Sequence, residues 1–179
     1  EHQIKILHSA IIAAKESDFD NRFHCVLYGE PGCGKSQCLI STGHMLGKEG
    51  EAYMKLDATS TTEAGAQKIL LNNVFLPRVL IIEEIEKTDE KSLRWLLGIL
   101  DQRAEIRKCN YRIGQQCRDV KMLCLATVND IHLFKRAMSG ALHSRFAHEI
   151  HCPRPSRIEM FKILEREVLK SKGRTEWIE

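Results

Sequence analysis

The sequence predicts an α/β fold, a three-layer α/β/α sandwich built on a parallel sheet of five strands. Short apolar segments alternate along the chain with segments of helical periodicity, which is typical of parallel sheets covered by helices. Residues 78–82 are apolar almost throughout, as expected of a strand buried on both faces. The predicted strands are 23–28, 52–56, 78–82, 122–126 and 148–151.

Composition indicates one ordinary globular domain. The chain has 179 residues, of which 43% are hydrophobic and 28% are charged, enough for a single well-packed core. No apolar run is long enough for a membrane span, so we expect no membrane partner. The seven scattered cysteines indicate a reducing compartment, the cytoplasm or the nucleus. A net charge of +3 is too small to argue for nucleic-acid binding by itself.

The first half of the chain alternates helices and strands. We predict helices over residues 1–16 and 36–46, the second ending at Gly47. Ser60 and Glu63 have the spacing of a capping box, which predicts a helix from there to about Asn72.

The second half begins with a leucine stripe and a basic segment. Leucines at helical spacing after Thr88 predict a core-facing helix, and they are Leu93, Leu96, Leu97 and Leu100. Residues 104–118 predict a basic β-hairpin that projects from the domain. The cations in and beside this hairpin are Arg103, Arg107, Lys108, Arg112, Arg118 and Lys121.

The last elements follow the strand at 122–126. We predict a helix over 131–138 and a boundary at Pro153 and Pro155. A second capping box, Ser156 with Glu159, opens a helix that runs to about Ser171. Its apolar side is predicted to face inward, and consists of Ile158, Phe161, Leu164 and Val168.

Residues 29–36, with the sequence GEPGCGKS, match the phosphate-binding P-loop pattern between a strand and a helix. Its glycines allow backbone N–H groups to approach phosphates closely, and the following helix N-terminus favours an anion. Lys35 supplies a cation for the β- and γ-phosphates, and the Ser36 hydroxyl can bind Mg²⁺. We therefore predict a nucleotide-binding protein.

Further polar groups follow other strands. Glu83 and Glu84 come directly after a buried strand, Asn129 follows the next one, and Arg145 lies slightly beyond. Because ligands bind at the carboxyl edge of parallel sheets, we expect these groups to face the P-loop. Simpler structural roles stay open: Glu83 and Glu84 could start a solvated helix, Asn129 could cap one, and Arg145 could form a surface ion pair.

The order of these segments resembles the AAA+ ATPases from about residue 23 to residue 171. The resemblance rests on GEPGCGKS, VLIIEEIEK, LATVND and ALHSRF, which resemble the Walker A, Walker B, sensor 1 and arginine-finger segments. It implies ATP and Mg²⁺ as cofactors. The implied nucleotide-binding residues are Gly29, Glu30, Pro31, Gly32, Cys33, Gly34, Lys35, Ser36 and Gln37.

The resemblance also implies roles in hydrolysis. Glu84 matches the base that polarises the attacking water, Asn129 matches sensor 1, and Arg145 matches a finger inserted by a neighbouring subunit. Ser36 and Glu83 match the Mg²⁺ positions, although Glu83 stands where the family usually has Asp. The family implies assembly into a homo- or hetero-oligomeric ring. It also implies a division into an ATPase core, 1–155, and the start of a truncated helical lid, 156–179.

The basic segment 103–121 resembles the hairpin before sensor 1 in one AAA+ branch, and the chain is most like Holliday-junction branch-migration helicases. We therefore expect a DNA motor, since clustered cations suit a phosphate backbone. The alternatives are a remodeller of protein partners and a nucleotide-dependent assembly module with little turnover. Loop 57–65 lacks the aromatic residue that protein unfoldases carry there.

A zinc site is the last alternative. Histidines and cysteines occur near one another in the sequence, but neither group has a recognised zinc-ligand spacing, so we expect none. These residues are His143, His148, His151 and Cys152, and separately Cys109 and Cys117.

Overall fold

The fold comes from a computed structural model that describes residues 2–110, 114–138 and 140–170. The helices are α1 (His2–Glu16), α2 (Lys35–Leu46), α3 (Glu63–Asn72), α4 (Arg94–Leu100), α5 (Ile131–Ala137), α6 (Gly140–His143) and α7 (Arg157–Lys170). The strands are β1 (Cys25–Tyr28), β2 (Tyr53–Asp57), β3 (Val79–Glu83), β4 (Glu105–Asn110), β5 (Gly114–Asp119), β6 (Leu123–Val128) and β7 (His148–His151). A single 3-10 turn, Ile85–Lys87, follows β3.

Five parallel strands form the central sheet in the order β2-β3-β6-β1-β7. The predicted α/β fold on a five-stranded parallel sheet is therefore confirmed. Strand β6 lies between β3 and β1, so the carboxyl ends of all three strands are adjacent. This order places the segments that follow β1, β3 and β6 side by side at one edge of the sheet.

Hydrophobic clusters cover both faces of the sheet. Alternate residues of β1 separate between them, because Val26 packs in one cluster while Cys25 and Leu27 pack in the other. Leu7 of α1 and Leu39 of α2 belong to the cluster that holds Cys25 and Leu27. The opposite cluster holds residues of α3, α4 and α5, which gives the three predicted layers.

Strands β4 and β5 form an antiparallel pair from Glu105 with Asp119 to Asn110 with Gly114. The base of this pair is part of the core, since Ile106 and Val120 are buried. A Cβ at Gly98 of α4 would lie 2.4 Å from the Glu105 carbonyl oxygen, so glycine allows the close approach of helix and hairpin. The predicted turn residue Arg112 lies outside the described residues.

Two local predictions are wrong, namely the capping box of α3 and the inward face of α7, and two element boundaries shift. The cap of α3 is Thr62, whose hydroxyl accepts from the Gly65 backbone N–H at 3.1 Å, while the Ser60 hydroxyl donates to the Asp57 carbonyl. Ser60 therefore belongs to the turn after β2, and the capping box predicted with Glu63 does not form. The predicted strand at 52–56 and the predicted helix start near Thr88 also shift, to Tyr53–Asp57 and to Arg94.

The second correction concerns α7. Its predicted capping box does form, since the Glu159 carboxylate accepts from the Ser156 N–H and hydroxyl, both at 2.8 Å. However, Ile158, Phe161 and Leu164 are 71%, 62% and 62% exposed rather than inward, and only Val168 is half-buried. The periodicity predicted an apolar face, but no helix or strand in the described part of the chain covers it. The predicted helix end at Ser171 lies outside the described residues.

None of the helices within the described ranges has both the length and the apolarity that crossing a membrane requires.

Candidate nucleotide-binding site

The P-loop joins β1 to α2 with backbone geometry that only glycine adopts easily. Gly34 caps the N-terminus of α2 with φ 88° and ψ 16°, in the left-handed region. A Cβ at Gly29 would lie 2.3 Å from the Cys152 carbonyl oxygen, so a side chain there would push the loop off the end of β7. The loop therefore turns tightly, and the first N–H groups of α2 remain available for an anion.

Lys35 is 7% exposed, and the contacts of its ammonium within the described residues are with neutral groups. Nζ donates to the carbonyl oxygens of Gly29 and Glu30 at 2.6 and 2.9 Å, and to Asn129 Oδ1 at 3.0 Å. Among the described residues, no carboxylate forms an ion pair with it. Because a buried charge needs a counter-charge, the residues present fit an anionic ligand such as a triphosphate.

Asn129 joins the P-loop to the acidic end of β3. Its side-chain amide accepts from Lys35 and donates to Glu84 Oε1 at 3.3 Å. The Glu84 N–H donates to the Thr127 hydroxyl at 3.1 Å, which fixes the start of the turn after β3. Lys35, Asn129 and Glu84 come from three separate segments, and the strand order brings them together as predicted.

Glu84 has a left-handed backbone, with φ 53° and ψ 45°. Such geometry is costly for a residue with a side chain and persists where the surrounding structure enforces it. The hydrogen bond from Lys87, followed by that from Asn129, lowers the pKa of Glu84 against the opposing effect of partial burial. The carboxylate is therefore ionised at neutral pH, the form that can orient a water or accept its proton.

These groups border a cavity of about 300 Å³. Its lining residues are Pro31, Gly32, Gly34, Lys35, Ser36, Gln37, Glu84, Thr127 and Asn129. Of the other predicted loop residues, Glu30 is exposed and lies 3.7 Å from Arg154, and Cys33 lines a neighbouring cavity of about 500 Å³. That second cavity lies between the P-loop, α1 and α7.

Glu83 is not among the residues lining the smaller cavity. Its Oε2 lies 2.6 Å from Lys55 Nζ on the adjacent strand β2. The structure thus brings one predicted Mg²⁺ residue, Ser36, to the cavity, and holds the other in an ion pair beside it. The Ser36 hydroxyl, together with phosphate oxygens, suits Mg²⁺, because this ion prefers oxygen ligands and retains water.

Arg145 lies away from this cavity, between α6 and β7. Its guanidinium donates to Asp101 Oδ2 at 3.0 Å and to the Ala141 carbonyl at 2.6 Å. The Arg145 hydrogen bond is the largest influence on Asp101 and lowers the pKa of that carboxyl. Arg145 borders a separate cavity of about 550 Å³ with Arg103 and Arg107. Within one chain, therefore, Arg145 does not reach the P-loop.

Sequence reasoning missed Thr127 and Glu86. Both are buried, and each accepts a hydrogen bond from a backbone N–H of a predicted site residue: Glu84 in the first case and Asn129 in the second. Thr127 could have been found from its place two residues before Asn129 on a buried strand. No sequence pattern distinguishes Glu86, because it is one of three glutamates in the segment EEIEK.

Three of the six cations in and beside the hairpin have partners within the chain. Arg107 pairs with Glu105 at 2.5 Å, and Lys121 pairs with Asp20 at 2.5 Å. Arg118 donates to the carbonyl oxygens at the end of α3 and beyond it, which are those of Leu70, Leu71, Asn73 and Val74. Arg118 and Lys121 thus connect the hairpin to neighbouring segments, whereas Arg107 pairs within its own strand.

Among the residues that the structure describes, no group of three or more His, Cys, Asp or Glu side chains is arranged to hold a metal ion.

The sequence profile of the family described as AAA domain (dynein-related subfamily) matches residues 24–146, more than half of the chain. The chain belongs to this family. It is therefore an AAA+ P-loop ATPase domain, as its motifs predicted. A comparison with curated protein sequences finds no match.

Solved structures with the same fold include those of Hsp104 and RuvB. The closed state of Hsp104 with ATPγS and FITC casein has a TM-score of 0.72 at 16% identity, covering 95% of this chain and 36% of that chain. The Thermotoga maritima RuvB Holliday junction branch migration motor has a TM-score of 0.68 at 20% identity, covering 96% of this chain and 51% of that one. The chain thus spans about half of the RuvB chain and about a third of the Hsp104 chain. At these identities the likeness concerns the fold.

Proposed function

We propose that this domain binds ATP with Mg²⁺ and hydrolyses its β–γ phosphoanhydride bond. The observation that carries the proposal is the hydrogen-bonded series from Lys35 through Asn129 to Glu84 beside the 300 Å³ cavity. It places a cation, an amide and a carboxylate around one space, as phosphoryl transfer to water requires.

Each group has a part in this reaction. The N–H groups at the start of α2 and the Lys35 ammonium hold the phosphates, and Lys35 exchanges its loop carbonyls for phosphate oxygens. Asn129 fixes the attacking water against the γ-phosphate, and Glu84 polarises that water as general base. Mg²⁺ would be held by Ser36 and would neutralise charge on the phosphates, with Glu83 available once Lys55 releases it.

The base of the nucleotide would occupy the 500 Å³ cavity next to the loop. Apolar groups from three parts of the chain line it, including Ile4, Cys152 and Ile163. This surface suits a flat heterocycle.

We infer that catalysis is completed in an oligomer. Arg145 cannot serve its own site, and its guanidinium is held by Asp101 on another surface. In a ring, Arg145 would enter the nucleotide site of the neighbouring subunit as an arginine finger. In other phosphoryl-transfer enzymes such a finger raises the rate by about 10³-fold or more.

For the client of the motor we propose DNA, contacted through the hairpin between residues 103 and 121. The proposal is supported by the cations of the hairpin and by the fold shared with RuvB, a branch migration motor. A protein client is the second candidate. It is favoured by the internal pairing of Arg107, Arg118 and Lys121, and by the fold shared with the casein-bound Hsp104.

The test measures ATP hydrolysis with and without single- and double-stranded DNA as a function of salt. Changing Lys108 and Arg112 to Ala should remove most of the DNA stimulation and lower the salt slope of DNA binding by about one per lost phosphate contact. The control changes Lys15 and Lys48 to Ala, which removes the same charge elsewhere and should leave stimulation intact. Equal loss in both variants, or no stimulation at any salt concentration, would favour the protein client.

A further inference from the structure

We propose that Glu86 is a positioning residue that sets the Asn129 amide between Lys35 and Glu84. This inference rests on the proposed function of the site. Glu86 lies in the 3-10 turn directly after β3, and its side chain is 6% exposed. Its Oε1 accepts from the Asn129 backbone N–H at 2.8 Å.

Asn129 needs such a restraint because the sheet does not provide one. The register of β6 with β1 ends at Val128, which pairs with Tyr28. The next helix begins with Asp130 as its cap, whose carboxylate accepts from the N–H groups of His132 and Leu133. Asn129 stands between the two elements, and Glu86 holds its backbone from the side of β3.

The position of the Asn129 backbone determines what its side chain can reach. Oδ1 lies 3.0 Å from Lys35 Nζ, and Nδ2 lies 3.3 Å from Glu84 Oε1. A displacement of about 1 Å would break either contact, because hydrogen bonds weaken steeply beyond their normal length. Small misplacements in catalytic sites can reduce rates by about 10²-fold. Glu86 thus acts on the reaction through Asn129 and touches no substrate itself.

The second oxygen of Glu86 argues against a purely structural role. Among the described residues, Oε2 is buried and has no hydrogen-bond partner. A buried polar atom without a partner destabilises the fold, so a carboxylate is a poor choice if packing were its only task. The other oxygen, Oε1, accepts from Asn129, the residue that links Lys35 of the P-loop to Glu84 after β3. We therefore infer that the role of Glu86 is to fix the position of Asn129.

The experiment compares Glu86→Ala and Glu86→Gln in the assembled protein. Glutamine keeps an oxygen for the Asn129 N–H, whereas alanine removes it. We expect Glu86→Ala to bind ATP within about threefold of the unchanged protein and to lose about tenfold or more in kcat. Glu86→Gln should keep kcat within about threefold, since its hydrogen bond is preserved. Glu51→Ala, at an exposed position, serves as the control and should change neither quantity.

A second readout does not depend on turnover. Hydrogen exchange at the Asn129 backbone N–H should be at least about tenfold faster in Glu86→Ala than in Glu86→Gln or the unchanged protein, because only the alanine variant removes the acceptor of that N–H. If Glu86→Ala does not fold, Glu86→Asp replaces it, because the shorter side chain weakens the same contact.

The outcomes separate the two proposals. Absence of hydrolysis by the unchanged protein would overturn the proposed function, while exchange at Asn129 would still test Glu86. Equal loss of kcat in Glu86→Ala and Glu86→Gln, or equal exchange rates at Asn129, would overturn the positioning role. Loss of ATP binding in parallel with kcat would also overturn it and assign Glu86 to general stability.

Discussion

The nucleotide site and the basic hairpin both contain cations that could bind phosphates, but the partners of these cations within the chain differ. Lys35 is buried among neutral acceptors, with no ion-pair partner in the described chain. In the hairpin, Arg107 and Lys121 face carboxylates of their own chain, and Arg118 binds backbone carbonyls. A cation therefore indicates a ligand where the fold leaves its charge unmatched, and not simply where cations are numerous.

The largest expected effect is a loss of ATP affinity when Lys35 is replaced. Lys35→Ala removes the charge that faces the phosphates, and we expect ATP affinity to fall by about 100-fold or more, the equivalent of two strong charge-assisted contacts. Titration with a fluorescent ATP analogue measures this. Lys48→Ala, the control, removes a lysine from the exposed turn after α2 and should bind ATP normally. Similar ATP affinity in both variants would show that Lys35 does not bind the phosphates.

The next effect separates binding from chemistry. Glu84→Gln keeps the shape of the side chain but removes the base, so we expect ATP binding within a few-fold and a kcat lower by about 10²-fold or more. Steady-state phosphate release measures kcat, and Glu51→Gln provides the exposed control. Normal hydrolysis by Glu84→Gln would show that another group activates the water.

The third effect tests whether hairpin cations serve the fold. Arg118→Ala leaves the carbonyls at the end of α3 without their donor, and we expect the free energy of unfolding to fall by about 1–3 kcal/mol. Arg107→Ala removes an exposed pair with Glu105 and should cost less than about 1 kcal/mol. Urea unfolding of both variants measures the difference. If Arg118→Ala is as stable as the unchanged protein but binds DNA more weakly, Arg118 contacts DNA and does not stabilise the fold.

The smallest effect concerns the ion pair beside the site. Lys55→Ala frees the Glu83 carboxylate, and we expect the Mg²⁺ concentration for half-maximal hydrolysis to fall by about two- to threefold, the value of one partly exposed pair. A Mg²⁺ titration of ATPase activity measures it. If the Mg²⁺ requirement does not change, Glu83 is a partner of β2 and not a ligand of the ion.

The sequence predicted the fold and the convergence at the sheet edge because these depend on short-range signals. The P-loop uses backbone groups of consecutive residues, and the buried strands of a parallel sheet carry apolar runs that periodicity detects. The strand order then brought Glu84 and Asn129 to Lys35. Their catalytic roles, and the division of the chain at residue 155, stay predictions.

What could not be predicted depends on tertiary partners. Arg118 and Lys121 read as members of a basic patch, and only the fold shows the carbonyls and the carboxylate that they contact. Glu86 has no pattern to distinguish it from neighbouring acids, since its importance comes from a hydrogen bond across 43 residues. The exposed face of α7 follows the same rule, because a periodic apolar stripe does not say what covers it.

A crystal structure of the domain with Mg²⁺ and a non-hydrolysable ATP analogue would show whether Lys35, Asn129 and Glu84 surround the γ-phosphate. The expected result is that the γ-phosphate lies in the 300 Å³ cavity, in contact with Lys35 Nζ, with Asn129 and Glu84 on its far side. A bound analogue that leaves Lys35 on the Gly29 and Glu30 carbonyls, with Glu84 remote from the γ-phosphate, would contradict it.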